Sequence, residues 1–519
     1  MESNPQLELA FNFLEYTGVN VFLTGKAGTG KTTFLRNLKE RSPKRMIVVA
    51  PTGVAAINAG GVTIHSFFQL PFGPYIPGVT DVITHDGKAR FTNKFSREKI
   101  NIIKMIDLLV IDEVSMVRAD LLDAVDDVLR RYRNRNEAFG GVQLLLIGDL
   151  QQLAPVVKDD EWMLLKQHYE SAYFFHSKAL AATRYVPIEL KQVYRQQDGI
   201  FLELLNRIRE KQIDASVLNT LNQRCIPGFT PSDEDGYITL TTHNHQAQRI
   251  NDLKMAALNT QAYTFRAEIK DNFPAYSYPT DELLVLKKGA QVMFVKNDSP
   301  EKRYYNGKIG KITAINNNTI EVVGKEDGMR ILVNREEWTN TKYTLDEETK
   351  EIVEMVEGRF SQYPLKTAWA ITIHKSQGLT FERAIVDANA AFAHGQVYVA
   401  LSRCKTFEGL VLSSPVTPRS LINDNAIDQF VSEVEQHEPG TEELHQARQS
   451  YFRELLLEQF DYESIRWRLH YLYRILDEQL RRLYPEWVER YRVAGARCAE
   501  ELLMVSERFQ NQLEGFMPE

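Results

Sequence analysis

The chain has 519 residues, 43% of them hydrophobic and 25% charged, with a formal net charge of −7. That length allows about three to five domains with a sizeable core, and the composition excludes a collagen, a coiled-coil rod and a wholly disordered chain. The acidic balance excludes a protein that coats nucleic acid by bulk charge, so any nucleic-acid partner must sit in a locally positive groove.

The N-terminal stretch Met1-Glu2-Ser3-Asn4-Pro5 lacks the basic-then-apolar pattern of a secretory signal. No apolar run approaches roughly 18 residues, so no membrane partner is expected. Cys225, Cys404 and Cys498 lie far apart and form no metal or disulfide pattern, which fits a reducing, cytoplasmic setting.

Residues 1–190 alternate short apolar runs with helical stretches. Val19–Thr24, Arg45–Ala50, Leu108–Glu113, Val142–Asp149 and Tyr185–Leu190 read as strands without strict polar alternation. Strands buried on both faces read this way, so a parallel sheet covered by helices is predicted. Residues 71–100 interrupt the rhythm. Three prolines and two glycines in Pro71–Gly78 precede an alternating stretch around Asp86-Gly87, which predicts a small β-hairpin at about 79–93.

A second α/β stretch begins near Tyr185, with helices at about 199–211 and 244–258 around a strand Tyr237–Thr242. Between about 262 and 362 the pattern changes to short strands: Gln291–Asn297, Gly307–Ile315, Thr319–Val323, Met329–Asn334 and Glu351–Gly358. This predicts a small antiparallel barrel inserted into the second domain. The α/β pattern resumes at Thr367. Residues after Pro439-Gly440 are helical, with 11 Arg against 15 acidic residues and no lysine beyond Lys405. Ile465, Leu469, Leu472, Leu476, Leu480 and Leu483 recur at helical spacing. A helical appendage packing its own stripe accounts for this; a pair of helices binding a protein partner is the sharper reading.

Gly25-Lys26-Ala27-Gly28-Thr29-Gly30-Lys31-Thr32 matches G-x-x-x-x-G-K-[ST], follows an apolar strand and opens a helix. Glycines let the backbone wrap phosphates with N–H groups pointing inward, and the helix N-terminus adds its dipole. Lys31 would reach the β- and γ-phosphates and Thr32 would ligate Mg²⁺. Leu108-Leu109-Val110-Ile111-Asp112-Glu113 carries two carboxylates to a strand end, where open sheets bind ligands. Asp112 would hold the metal, and Glu113 would orient or deprotonate an attacking water. That second acid favours hydrolysis over transfer to an acceptor. Gly148-Asp149-Leu150-Gln151-Gln152 follows another buried strand and could report the γ-phosphate, although a polar turn explains it equally well. Arg195 and Arg403 could offset charge on a transferring phosphoryl group; as isolated residues they read as surface ion pairs.

The order of these blocks resembles a superfamily 1B helicase of the petite-integration-frequency (Pif) type, with RecD-like enzymes as near relatives. Further blocks at matching places are Ala50-Pro51-Thr52-Gly53-Val54, Thr63-Ile64-His65-Ser66-Phe67, Phe139-Gly140-Gly141, Thr242-His243-Asn244, Gly289-Ala290-Gln291, Ile373-His374-Lys375-Ser376-Gln377-Gly378 and Tyr398–Arg403.

The resemblance implies an α/β fold with two RecA-like P-loop motor domains. It places the first at 1–184 with a 1B hairpin insert at about 71–100. The second falls at 185–436 with an SH3-like β-barrel 2B insert at about 255–362, followed by a helical C-terminal segment at 437–519. It implies ATP and Mg²⁺ as cofactors and 5′-to-3′ translocation on single-stranded DNA. It also implies unwinding of duplex or forked DNA, extending to G-quadruplex DNA, in the cytoplasm at the bacterial nucleoid. By the same resemblance, Gln6 contacts adenine. Gly25, Ala27, Gly28, Thr29, Gly30, Lys31, Thr32, Thr33 and Gly378 hold ATP, and Lys31, Glu113, Gln152, Arg195 and Arg403 act on its γ-phosphate. Register with Leu153 favours Gln152 over Gln151. The third motif departs from the family pattern, reading Leu150 where an aromatic is usual and Ala154-Pro155 where two prolines are.

A strand groove needs hydroxyl, amide and ring donors more than bulk charge. Pro51, Thr52, Val54, His65, Ser66, Phe67, Thr242, His243, Asn244, His374, Lys375 and Ser376 form such clusters, with His65 or Phe67 placed to stack on a base. The hairpin at 79–93 would act as a wedge: shortening it should reduce unwinding while sparing single-strand-stimulated ATPase, and equal loss of both would refute the role. Two other classes compete. A P-loop nucleotide switch would hydrolyse ATP equally well as Arg403→Ala. A passive single-strand binder is opposed by the intact Lys31, Asp112 and Glu113. A RecD-like motor subunit of a recombination complex is closer, although residues 440–519 carry no nuclease carboxylate–lysine cluster.

Overall fold

A computed structural model describes residues 4–26, 28–71, 73–76, 95–192, 198–232, 235–298, 303–316, 319–325, 327–346, 352–388, 395–418, 420 and 424–516. The hairpin expected at 79–93, together with Ala27 and Arg195, lies outside them. The chain forms two compact units: Asn20–Glu438 with the start of the chain to Ala10, and Phe11–Val19 with Pro439–Glu519.

In the first unit, six strands make one parallel sheet: β1 (Asn20–Gly25), β2 (Met46–Ala50), β3 (Val62–Thr63), β4 (Leu108–Ile111), β5 (Gln143–Ile147) and β6 (Tyr185–Leu190). Their order is β3-β2-β4-β5-β1-β6. Every residue of β1, β4 and β5 is buried, which is why these runs are apolar without alternation. Each fully buried Val, Leu or Ile contributes roughly 1.5–3 kcal/mol. The strand ends carrying Gly25, Asp112 and Gly148 therefore sit on a rigid platform.

Two expected boundaries need correction. β6 pairs with β1 along its whole length, from Asn20↔Tyr185 to Gly25↔Leu190. The first sheet thus runs through Leu190, past the boundary expected at 184/185. The segment reads as a strand either way, but its own residues do not say which sheet it joins. At the other end, helix Asn425–Gln436 buries Ile427 and Phe430 in the first core. The Phe430 ring stacks on Phe175 with centroids 4.3 Å apart and tilts against Phe22 at 5.9 Å. Residues 425–436, expected as the end of the second domain, pack back on the first.

The second domain centres on four parallel strands in the order Ala370–Thr372, Ile238–Thr241, Ala384–Asp387, Leu410–Ser414. Helices Gly199–Arg209 and Gln396–Ser402 pack on it, joining Phe201, Leu204, Leu240, Val386, Val399 and Leu412 in one core. The insert is antiparallel, as expected, but is built of three sheets. Five strands run in the order Arg330–Val333, Ile320–Gly324, Ile309–Ile315, Gln291–Phe294, Leu365–Thr367. This sheet takes its last strand from beyond the expected limit at 362. Glu336–Leu345 and Ile352–Gln362 instead form a long hairpin that pairs with Glu268–Asp271, and Ala262–Arg266 pairs with Leu283–Lys287. The hairpin reaches the first domain, where the Tyr343 hydroxyl accepts from the Val48 N–H at 3.2 Å. Among the described residues, no helix is long and apolar enough to cross a membrane.

The second unit is helical: Thr441–Gln459, Glu463–Leu480 and Pro485–Cys498, the last continuing through a π-helical stretch, Ala499–Leu503, to Phe516. Its closing contacts include Phe460 against Phe509 at 4.7 Å and the Arg448 guanidinium 4.7 Å over Tyr16. Of the apolar stripe read from the sequence, Ile465, Leu469, Leu476 and Leu480 are half-buried, whereas Leu472 and Leu483 are exposed.

Candidate functional site

The loop after β1 has the shape of a phosphate cradle. Gly25, Gly28 and Gly30 all have positive φ. A Cβ on Gly25 would lie 2.7 Å from the Leu190 carbonyl oxygen and 2.9 Å from Thr29 Oγ1, so only glycine fits there. Thr29 is buried and its hydroxyl donates to the Lys26 carbonyl at 2.9 Å. Lys31 opens helix Lys31–Arg41, with Thr32 and Thr33 exposed in the first turn. Lys31 Nζ donates to the carbonyls of Gly25 at 2.7 Å and Lys26 at 3.0 Å. Burial lowers its pKa, opposed by the charges of Asp149, Glu113 and Asp112. An anion in the loop would offset that burial.

Asp112 and Glu113 leave the end of β4. Glu113 has left-handed backbone (φ 51°, ψ 43°), a conformation costing about 1–3 kcal/mol and concentrated at functional sites. Burial, then the neighbouring Asp112 charge, pushes the Glu113 carboxyl up to about 7, while Lys31, Arg403 and Gln377 pull it down. Burial also raises Asp112, whose Oδ1 accepts the Glu113 N–H at 2.9 Å. Thr32, Asp112 and Glu113 offer hard oxygens suited to Mg²⁺. Among the described residues no cluster of three or more His, Cys, Asp or Glu could hold a metal ion. A dication here would complete its shell with water and phosphate, as Mg²⁺ commonly does.

The loop after β5 is organised by Asp149, a fully buried carboxylate. Its oxygens accept the Gln151 N–H at 3.1 Å and the Gln152 side-chain amide at 3.2 Å. The second domain closes on this loop. A Cβ on Gly395 would lie 2.1 Å from the Gln152 carbonyl oxygen, so helix Gln396–Ser402 starts directly against it. Gln377 Nε2 donates to Glu113 Oε2 at 2.7 Å. Arg403 is 1% exposed and donates to the carbonyls of Val399 and Leu379 and to Ser402 Oγ, all within its own domain. Its charge is nevertheless felt by Glu113.

Sequence reasoning missed Gln377 as a partner of Glu113, and it missed Arg209. The Arg209 guanidinium lies 3.6 Å from Asp149 and 3.2 Å from Glu189. It also missed Lys26, whose Nζ donates to Asn206 Oδ1 at 2.7 Å. Gln377 stood in a quoted motif; nothing local distinguishes Arg209 from Arg207. Gln6 lies in the first turn of helix Pro5–Tyr16, its N–H held by Asn4 Oδ1 at 3.1 Å. Gly378 faces Asn58, whose Nδ2 would be 3.9 Å from a Cβ there.

Three cavities lie away from the phosphate loop. Thr242, His243, Asn244, His374 and Lys375 border one of about 540 Å³, with Pro155 and Val156. Asn244 and Lys375 also border a second of about 660 Å³, with Asn58, Trp338 and Lys366. Ser66 borders a third of about 350 Å³, again with Trp338 and with Lys296. Shared walls join them along both domains and the insert. Burial lowers the His374 pKa, which favours a neutral ring near pH 7. Pro51 is half-buried and Thr52 exposed, its hydroxyl capping helix Gly53–Ala59, which contains Val54, by accepting the Ala55 N–H at 3.2 Å. His65 is half-buried, its pKa lowered by burial and by Arg118.

Two expected strand contacts are corrected. Phe67 is 2% exposed in the first core, edge-on to Phe68 and under the Lys99 ammonium at 3.2 Å, so it offers no face to a base. Ser376 is fully buried and its hydroxyl donates to the Ile373 carbonyl at 2.7 Å.

The family model described as PIF1-like helicase matches residues 10–217, and one described as DNA helicase, middle domain, matches 443–519. The ATP-dependent DNA helicase Pif1 of Bdellovibrio bacteriovorus is 31% identical over 444 residues, covering 84% of this chain and 93% of that protein. The crystal structure of a Bacteroides Pif1 with ADP-AlF4 is 42% identical, covers 84% of this chain and 98% of that one, and gives a TM-score of 0.77. Bacteroides Pif1 bound to single-stranded DNA, at the same identity and coverage, gives 0.60.

Proposed function

The chain belongs to the PIF1-like helicase family and is an ATP-hydrolysing DNA helicase, and from that premise we propose that it tracks single-stranded DNA 5′ to 3′ and opens duplex, forked and G-quadruplex DNA ahead of it. The observation that carries the reading is the two-sided cleft. Lys31, Asp112, Glu113 and Gln152 come from one sheet, while Gln377 and Arg403 come from the other.

When ATP enters, Lys31 exchanges its loop carbonyls for phosphate oxygens. Thr32 and Asp112 would hold Mg²⁺, which would offset the charge of the phosphates. Glu113 takes the proton of the attacking water, with Gln377 fixing its orientation. Gln152 and Arg403 face the γ-phosphate from either side. Second-domain groups reach the nucleotide only in the closed cleft, so ATP favours closure by its extra contacts there, and hydrolysis releases it. The joined cavities bordered by Thr242–Asn244, His374, Lys375 and Trp338 hold the strand through both domains, so closure moves it. The lower likeness to the DNA-bound relative, 0.60 against 0.77, supports a link between strand binding and domain arrangement.

ATP hydrolysis with and without single-stranded DNA, in wild type and Lys31→Ala, tests the motor. Strong stimulation lost in Lys31→Ala supports it, and unstimulated hydrolysis refutes it. Unwinding of duplexes tailed at the 5′ or the 3′ end then tests the polarity.

A further inference from the structure

Helix Gly199–Arg209 faces two ways. Phe201, Leu204, Leu205 and Ile208 bury one face in the second core. Its last turn points to the first domain: Asn206 and Glu210 take the Lys26 ammonium at 2.7 and 3.2 Å, and Arg209 approaches Asp149. Asp149 is sealed from water, with a side chain 0% exposed. Its other partners are the Gln151 N–H and the Gln152 amide, both in its own loop. A buried carboxylate needs a cation, and the second domain delivers it.

We infer that Arg209 is a positioning residue for ATP hydrolysis, holding the Asp149 carboxylate and through it the Gln152 amide. The inference rests on the ATPase reading above and adds a tie between domains that does not pass through nucleotide.

Three observations separate this from an ordinary ion pair. Arg209 Nε is buried without a hydrogen-bond partner, so the guanidinium is not saturated as a structural arginine usually is. Arg403, by contrast, donates to the Val399 and Leu379 carbonyls and to Ser402 of its own domain. The second contact of Arg209, Glu189 at 3.2 Å, lies on β6, so both its carboxylates belong to the first sheet. Finally, Asp149 exerts the largest charge effect on Lys31. If the domains part, Arg209 leaves with its helix and Asp149 stays. The acid then draws on Lys31, and its carboxylate, with the Gln152 amide on Oδ2, loses the fixing contact on Oδ1. With Arg209 in place, Lys31 is free for phosphate and Gln152 is held.

The test compares wild type, Arg209→Gln, Arg209→Lys, Asp149→Asn and the Arg209→Gln/Asp149→Asn double variant at saturating single-stranded DNA. Arg209→Gln should lower kcat ~10–100-fold with KM for ATP within about threefold. Arg209→Lys keeps the charge and should recover part of the loss, which also covers a Gln variant that fails to fold. The double variant should be no worse than the worse single one. The ratio of DNA affinity with and without a nonhydrolysable ATP analogue should fall towards one in Arg209→Gln, a change that lost packing would not produce. Multiplying losses, a change in KM alone, or an unaltered affinity ratio overturns the inference. DNA stimulation absent already in wild type overturns the helicase reading itself, and this inference with it.

Discussion

Glu113 and Gln377 meet across the cleft, with Gln377 Nε2 donating to Glu113 Oε2 at 2.7 Å. Glu113, the proposed general base, sits at the end of β4, yet its carboxylate is held by a residue of the second domain. The pair therefore couples closure to the carboxylate proposed to accept a proton.

Only the carboxylate form of Glu113 can accept that proton, and burial pushes the group up to about 7. The kcat/KM for ATP, which reports the free enzyme, should therefore rise with pH through about 7 and level off above it. Gln377→Leu removes a hydrogen bond that favours the charged form, so the inflection should move to higher pH. A profile with its inflection near the ordinary glutamate value of about 4.3, or one unmoved in Gln377→Leu, would refute this.

Glu113→Gln keeps the hydrogen-bonding shape but removes the base. It should lower kcat by ~10²–10⁴-fold, the usual range for general-base loss, while ATP affinity measured by a fluorescent analogue is retained. Loss of binding with hydrolysis intact would assign the residue to the wrong step.

Along the groove, the exposed Lys375, which borders two of the joined cavities, should carry charge contact with the strand. Lys375→Ala should flatten the log–log salt slope by about 0.7. Anisotropy titrations at several salt concentrations read the slope, and a slope equal to that of wild type would count against the assignment.

Phe430→Ala should destabilise the first domain rather than the second, by about 3–5 kcal/mol. Its ring packs against Phe22, Phe174 and Phe175 of the first core. Denaturant unfolding followed by hydrogen exchange in β1 would check this. Loss of protection confined to Ile238–Thr241 would place the helix with the other domain.

The parts of this protein readable from sequence are those made by neighbours along the chain. A phosphate loop uses the backbone of consecutive residues, so Gly25–Thr32 is legible from spacing alone, and buried strands such as β1, β4 and β5 are legible because both faces exclude polar residues. The acids Asp112 and Glu113 follow from their place at a strand end. Tertiary structure decided which sheet β6 joins, that Phe430 returns to the first core, that Phe67 and Ser376 are buried, and that Arg209 and Gln377 complete the cleft. Glu113 and Gln377 are 264 positions apart, and Arg209 has the same neighbours in sequence as any helix-end arginine. Contacts of that kind depend on how two sheets pack, and no local pattern of hydrophobicity or charge encodes a packing angle.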